Sequence, residues 1–269
     1  MDISLTAGMY NSVLALQDNA SLFNTTQTDL ATGKAVNSAL DDPLRYFASQ
    51  NDLFQADQLT TLKSSMNEAL QTIQAANNGI TGITALVKQA IALAQSSAAT
   101  SNTTTQSSLN TQLTALVSQI DSMAGDAGYG GTDLINNSAT TLTVNFNTTN
   151  GSKIVITGVD ATSTGLNITG LDISTSGGAT AAQTALSAAL TTLQTDAQTL
   201  SSSNAIIQAR ISFTSSMINT LQQGSDNLTL ADMNKEGANM LALQTQQALA
   251  INSLRIASQS SQSVLRLFQ

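Results

Sequence analysis

Asp41 and Asp42 are the residues whose type and spacing could most readily do chemistry, because paired carboxylates can act as a general acid and base or bind a cation. A cation site needs further ligands, and none lies nearby in the sequence. Pro43, the only proline, follows the pair and suits the first position of a helix, while Asp suits the preceding N-cap. The pair therefore predicts a helix that begins at Pro43 and is capped by Asp42, in preference to a catalytic or metal site.

The remaining motifs that could suggest an active site are weak. The chain has no cysteine and no histidine, which excludes thiol and imidazole catalysis, disulfides, and thiolate or imidazole metal sites. The glycine cluster from Gly125 to Gly131 lacks the Gly-Lys-Ser/Thr ending of a phosphate-binding loop and follows a helical pattern, so it predicts a turn. We expect a protein that is not an enzyme and has no cofactor or metal.

The composition limits the possible partners. Hydrophobic residues make up 41% of the 269 residues, but aromatic residues only 3% and charged residues only 10%. The net charge of −8 leaves no basic surface for phosphates and argues against nucleic acid. No apolar run reaches the roughly 20 residues that span a bilayer, so we expect no membrane insertion. Asp2 stands where a secretory signal would carry a basic residue, which predicts an uncleaved N-terminus.

Apolar residues recur at alternating steps of three and four over residues 59–94 and 186–228, which predicts long helices that other helices must cover. A shorter stripe at 109–123 can fold back on the first helix, across a Ser/Thr-rich turn or frayed end at 95–108. The fold class predicted is mainly α, a long antiparallel coiled-coil-like bundle. Its predicted seam contains Leu59, Leu62, Met66, Ile73, Ile80, Ile83, Val87, Leu186, Leu193, Leu200, Ile207, Ile211, Ile218 and Leu221.

Between the long stripes the apolar period changes to two. Apolar residues alternate with Thr and Asn over 142–146, Asn150–Gly151 is a type I′ turn signal, and three apolar residues follow at 154–156. This pattern predicts a small β-hairpin insert, with a third strand at 166–168 or 171–173. The helical period resumes at about Ala181. Antiparallel long helices would place this insert at the tip of the bundle.

Both ends of the chain predict helices that are apolar on more than one face. Met9 and Val13 share one stripe near the start, whereas Tyr10 and Leu14 lie off it, and the last forty residues repeat this arrangement. Such a helix is normally buried on several sides, whereas chain termini are usually polar and exposed. The sequence therefore predicts two end helices that need partners beyond the bundle.

Three stretches resemble bacterial flagellin, the subunit of the flagellar filament. Residues 30–42, with the sequence LATGKAVNSALDD, are similar to the family's N-terminal turn, its Ile-Asn-Ser-Ala segment and its Asp pair. Residues 129–135, YGGTDLI, resemble its Phe-Asn-Gly type loop, and residues 227–268 resemble its C-terminal helix. The resemblance covers about four fifths of the chain, residues 1–135 and 181–269.

The resemblance implies a structural subunit that polymerises into an extracellular filament for motility. The end helices are expected to pair on assembly in an inner tube, and the middle to project outward. The chain then divides into an inner-tube helix and spoke at 1–42, the N-terminal half of the bundle at 43–135, the β insert at 136–180, the return helix at 181–224 and the C-terminal inner-tube helix at 225–269.

Copies of the same chain are the main partner that the resemblance implies. It also implies a flagellar export chaperone, the type III export apparatus, and hook-associated and cap proteins. The expected inner-tube assembly interface contains Leu5, Met9, Val13, Leu16, Phe23, Leu241, Leu249, Leu254, Ile256, Val264, Leu265, Leu267 and Phe268.

One departure from the family pattern and two alternative functions remain open at this point. Flagellins that activate the innate immune receptor carry Arg followed by Glu where this chain has Ala90 and Ile91, so we predict weak receptor activation. A hook–filament junction protein shares such end helices without forming long filaments. A secreted helical adhesin or translocator would usually carry Lys or Arg along the polar face of a membrane-binding helix, and residues 1–33 contain neither.

Overall fold

The computed structural model describes residues 7–149 and 151–267, and the side chains of residues 8–149 and 151–263. This part of the chain falls into two compact units, one of residues 7–56 with 219–267 and one of residues 57–218. No helix in the described ranges is long and apolar enough to cross a membrane. The described elements, in chain order, are α1 (Ala7–Thr32), α2 (Pro43–Ala99), α3 (Thr103–Asp126), β1 (Thr141–Asn145), β2 (Lys153–Thr157), α4 (Ser176–Thr229) and α5 (Met233–Leu267).

One hydrophobic cluster forms the core of unit 57–218, and it contains residues of α2, α3, the hairpin and α4. The buried positions of α2 keep alternating steps of three and four from Met66 to Ala94, which holds one helical face against its neighbours. The prediction of a mainly helical bundle with a small hairpin insert is therefore confirmed. The seam residues in this cluster are Met66, Ile73, Ile80, Ile83, Val87, Leu186, Leu193, Leu200 and Ile207, with Leu62 and Ile211 packed against it.

The other predicted seam residues lie towards the ends of the stripes. Ile218 is 9% exposed, Leu59 is half-buried, and neither belongs to the cluster. Leu221 is half-buried and belongs to the other unit. The apolar stripes of α2 and α4 are thus longer than the buried core of the bundle.

The prediction of a turn or frayed end across residues 95–108 is wrong for most of that stretch. Helix α2 continues to Ala99, and α3 begins at Thr103 after Asn102, whose Oδ1 accepts hydrogen bonds from Thr104 N (3.0 Å) and Thr105 N (3.1 Å). Polar side chains can remain helical here because Gln106 Nε2 donates to the carbonyl of Thr100 (2.8 Å). Only residues 100–102 connect the two helices.

The β-hairpin is present, but its turn differs from the prediction. Strands β1 and β2 pair antiparallel, with Thr143 opposite Val155. Phe146 N donates to Ser152 O (2.8 Å), so residues 147–151 connect the strands instead of a two-residue turn at Asn150–Gly151, of which Asn150 lies outside the described residues. A two-residue turn occurs elsewhere, at Gly130–Gly131, where φ is 58° and 80°.

The segment after the hairpin forms no third strand within the described residues, which corrects that prediction. Leu166, Ile168 and Ile173 are buried in the core by a chain of turns. The Asp121 carboxylate on α3 holds this segment by accepting from Ser163 N (2.7 Å) and Ser163 Oγ (2.9 Å). Helix α4 then begins at Ser176, five residues before the predicted return of the helical period at Ala181.

Candidate assembly interface

The unit of residues 7–56 and 219–267 contains the two end helices, and local signals set their facing ends. Helix α1 ends before Gly33, whose φ of 71° suits glycine, and Gly33 N donates to Asp29 O (2.8 Å). Helix α5 begins after Asp232, whose Oδ1 accepts from Asn234 N (3.0 Å) and Lys235 N (3.2 Å). Both ends are thus fixed by short-range hydrogen bonds.

Helices α1 and α5 pack against each other within a single chain. The main buried and half-buried positions of each helix recur at steps of three and four, as in a coiled coil. Their pairing therefore does not require a second copy of the chain. We call these positions the end-helix seam: Met9, Val13, Leu16, Asn19, Phe23, Thr26 and Leu30 on α1, and Met240, Leu243, Gln247, Ala250, Leu254 and Ala257 on α5.

Polar residues interrupt the end-helix seam. Asn19 is 8% exposed; its Nδ2 donates to Leu243 O (3.3 Å), and its buried Oδ1 has no hydrogen-bond partner. An unpaired buried polar atom costs about 1–3 kcal/mol. Thr26 is also buried in the seam, and Gln247 is half-buried there. The inner contact of this helix pair is therefore less apolar than that of a typical coiled coil.

The outside of the same helix pair carries large apolar side chains. Leu241, Leu249 and Ile256 on α5 are between 62% and 66% exposed, and further members lie on α1. Exposed apolar patches of this kind usually mark an interaction surface. We call this set the outer face: Tyr10, Leu14, Leu22, Leu241, Leu249, Ile251 and Ile256.

The predicted inner-tube residues divide between these two surfaces. Met9, Val13, Leu16, Phe23 and Leu254 lie in the end-helix seam, whereas Leu241, Leu249 and Ile256 lie on the outer face. The sequence predicts a single group because all of these residues are apolar and helical. Among the remaining predicted members, Leu5 and Phe268 lie outside the described residues, as do the side chains of Val264, Leu265 and Leu267.

Four members of the outer face, Tyr10, Leu14, Leu22 and Ile251, are missing from the predicted interface. Their signal is present in the sequence, because each lies off the heptad stripe of its helix and is nevertheless apolar. A similar exposed stripe begins α2, where Leu44 is 82% and Phe47 is 63% exposed. The first turns of α2 therefore add apolar surface to this unit.

The two connectors next to the end helices are joined by backbone hydrogen bonds. Ala35 N donates to Thr229 O (2.8 Å), and Ala231 N donates to Gly33 O (3.0 Å). Ser49 lies on α2 and Ser225 lies on α4, and their buried hydroxyls share a hydrogen bond of 2.8 Å. The connectors thus hold the C-terminal end of α1 beside the N-terminal end of α5.

The Asp41–Asp42 pair shapes the start of α2. Asp42 Oδ1 accepts from Arg45 N (3.0 Å), and α2 begins at Pro43. Asp41 Oδ2 accepts from Ser38 N (2.8 Å) and Asn37 N (2.9 Å), and these backbone hydrogen bonds lower the pKa of Asp41. Both carboxylates are therefore engaged in holding local backbone.

The pKa of Asp29 shifts in the opposite direction, upward. Partial burial in the last turn of α1 raises its pKa, and the nearby carboxylates of Glu236 and Asp41 raise it further. A hydrogen bond from Asn37 Nδ2 (3.0 Å) to Asp29 Oδ1 opposes this shift. The connector region therefore contains one carboxylate that is stabilised when charged and one that is destabilised when charged.

The chain is similar to known proteins over nearly its whole length. The family model for the bacterial flagellin N-terminal helical region matches residues 5–140. Flagellin FljK of Caulobacter vibrioides is 31% identical, covering 99% of this chain and 98% of its own length. A flagellin of Brucella melitensis is 30% identical, covering 94% of this chain and 85% of its own length. The crystal structure of Bacillus cereus flagellin, 18% identical, covers 65% of this chain and 94% of its own at a TM-score of 0.43. The family match spans half of the chain and the first relative nearly all of it, so the chain belongs to the bacterial flagellin family.

Proposed function

We propose that this flagellin is a structural subunit that polymerises with copies of itself into the bacterial flagellar filament, and that it has no catalytic role. The outer face carries this proposal. Seven large apolar side chains on a single pair of helices remain in water unless another molecule covers them. A filament of identical subunits supplies such a cover at every position of its lattice.

We further propose that α1 and α5 form the inner tube of that filament. On this proposal residues 1–42 and 225–269 form the inner tube and spoke, residues 43–135 and 181–224 the helical bundle, and residues 136–180 the outward insert. The support is the contrast between surfaces, because the core of unit 57–218 is fully covered within the chain and the outer face is not. The inner-tube contacts then combine the end-helix seam within each subunit and the outer face between subunits.

Export is a second part of the proposal. A subunit of an extracellular filament must leave the cell, and the type III export apparatus reads an uncleaved N-terminus in this family. The outer face on α5, with Leu241 and Leu249 exposed, offers an export chaperone an apolar helix to cover before assembly. Hook-associated and cap proteins would contact the same end helices at the two ends of the filament.

The experiment that tests the proposed function is seeded polymerisation. Purified monomer is added to short filament seeds, and growth is measured by pelleting and electron microscopy. The matched variants are Leu249→Ser on the outer face (62% exposed) and Val155→Ser on the hairpin (51% exposed). Covering the exposed part of Leu249 contributes about 1–2 kcal/mol per contact, so its loss should raise the critical concentration roughly five- to thirty-fold.

The outcomes of this experiment distinguish a filament subunit from the two alternative functions. Long filaments from the wild type and from Val155→Ser, with weak growth of Leu249→Ser, would support the filament subunit and its outer face. Persistent monomer of the wild type in the presence of good seeds would overturn it in favour of a hook–filament junction protein. Binding of the monomer to liposomes without growth on seeds would favour an adhesin or translocator instead.

A further inference from the structure

The β-hairpin of unit 57–218 has a free edge along β1. Residues of an antiparallel strand direct their backbone groups alternately towards the partner strand and away from it. Phe146 N donates to Ser152 O (2.8 Å), so the even-numbered residues of β1 face β2. Thr143, opposite Val155, therefore directs its N–H and C=O away from β2, as do its odd-numbered neighbours in β1. No hydrogen bond within the described ranges involves the backbone of Thr143.

This β1 edge lacks the features that usually protect the edge of a sheet. Natural proteins cover such an edge or place Lys or Pro on it, because its unpaired backbone groups can accept another strand. Strand β2 carries Lys153, whereas β1, Thr141–Asn145, contains no charged residue and no proline. Five residues at about 3.4 Å each give an edge of about 17 Å. The β1 edge is therefore open to the addition of a strand.

A groove lies beside the β1 edge. Its cavity of about 780 Å³ is lined by α2 from Leu62 to Thr72, by the turn at 129–132 and by residues 142–145 of β1. None of the described residues of β2 lines it, so the groove lies on the side of β1 that faces away from β2. Ligand-binding clefts usually measure about 300–1,000 Å³, and an added strand would lie about 4.8 Å beyond β1. The groove therefore has the position and the size to receive one extended segment.

Glu68 is the one charged residue among those that line the groove. It is exposed on α2, and no salt bridge within the described ranges involves it. The half-buried side chains of Leu62 and Leu142 add apolar surface to the same walls. A positively charged side chain on the added strand would pair with Glu68, and the net charge of −8 would attract a basic segment at longer range.

This chain has no single extended segment of that chemistry to offer to a second copy. Lys34 and Lys153 are the two of its nine Lys and Arg residues that lie outside the described helices. The backbone at Lys34 already pairs with Leu230, and Lys153 lies in β2, which already pairs with β1. A second copy would therefore have to bring a whole hairpin, about twice the width of one strand, into the groove. The groove fits a segment of a different protein better.

We propose that the β1 edge and its groove bind an extended, basic segment of another protein, which adds to the hairpin as a third strand. Backbone hydrogen bonds to Thr143 would supply affinity, and a Lys or Arg beside Glu68 would supply specificity, as in other cases of strand addition. This inference goes beyond the proposed function, because it concerns a partner other than copies of the chain. It can be tested on the monomer without polymerisation.

Peptide binding to the purified full-length monomer, measured by fluorescence anisotropy, tests the proposal. The probe is a labelled peptide of about seven residues that alternates valine and threonine around a central lysine, long enough to cover the β1 edge. We expect saturable binding that weakens about tenfold or more when the central lysine is replaced by glutamate. Two further peptides carry N-methyl groups on opposite sets of alternate backbone nitrogens. Only one of the two should lose binding, because an added strand directs alternate N–H groups towards β1.

Three protein variants locate the binding site. Thr143→Pro removes an outward N–H without removing a hydrogen bond to β2, and it should weaken binding about tenfold. Val155→Pro is the matched control, because it removes the outward N–H directly opposite, on the edge of β2, and should leave binding unchanged. Glu68→Gln should abolish the preference for lysine over glutamate. Circular dichroism at 222 nm checks that each variant remains folded.

The results that would overturn the proposal are distinct from a failure of the proposed function. No binding of the lysine peptide to the wild type at about 1 mM contradicts the site itself. Equal loss of binding in both proline variants, or equal binding of all methylated peptides, contradicts addition to β1. A dimer of the wild type that Thr143→Pro abolishes would assign the edge to a second copy instead of another protein. Growth on filament seeds enters none of these results.

Discussion

Replacement of Gly79 by alanine should destabilise the protein, although the same change in the middle of a helix normally stabilises it. Alanine is favoured over glycine by about 1 kcal/mol in a helix interior. At Gly79, however, an added Cβ would lie 2.6 Å from the Ala127 Cβ and 2.5 Å from the Ile135 Cδ1, where carbon atoms normally approach to about 3.5–4.0 Å. The Ile135 methyl can rotate away, but the Ala127 Cβ moves only with its backbone.

The expected size of the effect follows from these two opposing contributions. Overpacking a tight site costs about 1–3 kcal/mol, and the gain in helix propensity offsets about 1 kcal/mol of that cost. We therefore expect Gly79→Ala to lower the free energy of unfolding by about 1 kcal/mol, and at most by about 2 kcal/mol. Gly125→Ala is the matched control, because nothing lies within 4 Å of a Cβ added there on α3.

Denaturant unfolding, followed by circular dichroism at 222 nm, measures both variants against the wild type. Gly125→Ala should match the wild type or exceed its stability by up to about 1 kcal/mol, since only propensity changes. The reasoning fails if Gly79→Ala is as stable as Gly125→Ala. That result would mean that α2 and the chain near Ala127 separate easily and that close packing does not require glycine at this position.

Four further predictions concern single side chains and the receptor. Ser97→Ala removes the donor to the buried carbonyl of Ile173 and should lower the free energy of unfolding by about 1–3 kcal/mol, measured by the same assay. Asp29→Asn should stabilise the protein at pH 7, because a raised pKa means that the carboxylate is disfavoured in the folded state; its benefit should disappear below about pH 3.8, the pKa of an unperturbed Asp. Asp41→Asn should do the opposite, destabilising at pH 7 and losing its effect as the pH falls through the lowered folded pKa; thermal midpoints across pH 3–7 compare the two variants. A reporter-cell assay should show weak activation of the innate receptor, and full activation at low protein concentration would contradict that prediction.

The long helices could be predicted because their signal is local and repetitive. Steps of three and four from Met66 to Ala94 bring every apolar residue to one face, and each of these residues is then buried by the same core. The start of α2 is also local, since Asp42 and Pro43 carry the information for a helix start in adjacent residues. Periodicity and capping together therefore account for most of the architecture.

The Ser/Thr-rich stretch at 95–108 could not be assigned correctly because its helical state depends on distant partners. The hydroxyl of Ser97 donates to the carbonyl of Ile173, and Asn110 Oδ1 accepts from Ile173 N (2.9 Å). Both hydrogen bonds join residues more than sixty positions apart in the sequence. A composition that favours turns in isolation is helical here because the segment after the hairpin supplies partners for its polar groups.

The assembly surface illustrates a different limit, because periodicity identifies the faces of a helix but not the molecule that covers each face. Along α1, the stripe that contains Met9 and Val13 and the off-stripe residues Tyr10 and Leu14 are both apolar, so the sequence indicates only that both need covering. The structure shows that α5 covers the first set and leaves the second in water. It also places Asn19, with its unpaired Oδ1, on the covered side.

This distribution departs from that expected for an isolated pair of helices, in which apolar residues lie inside and polar residues outside, because polar residues interrupt the inside and large apolar residues lie outside. The polar interruption weakens the contact within the chain, and the exposed leucines strengthen any contact with a neighbour. Contact with further copies of the chain is therefore expected to stabilise the end helices more than their pairing within one chain does. An inner contact interrupted by polar residues, combined with an exposed apolar outer face, is what a subunit needs if its end helices become fixed only in the polymer.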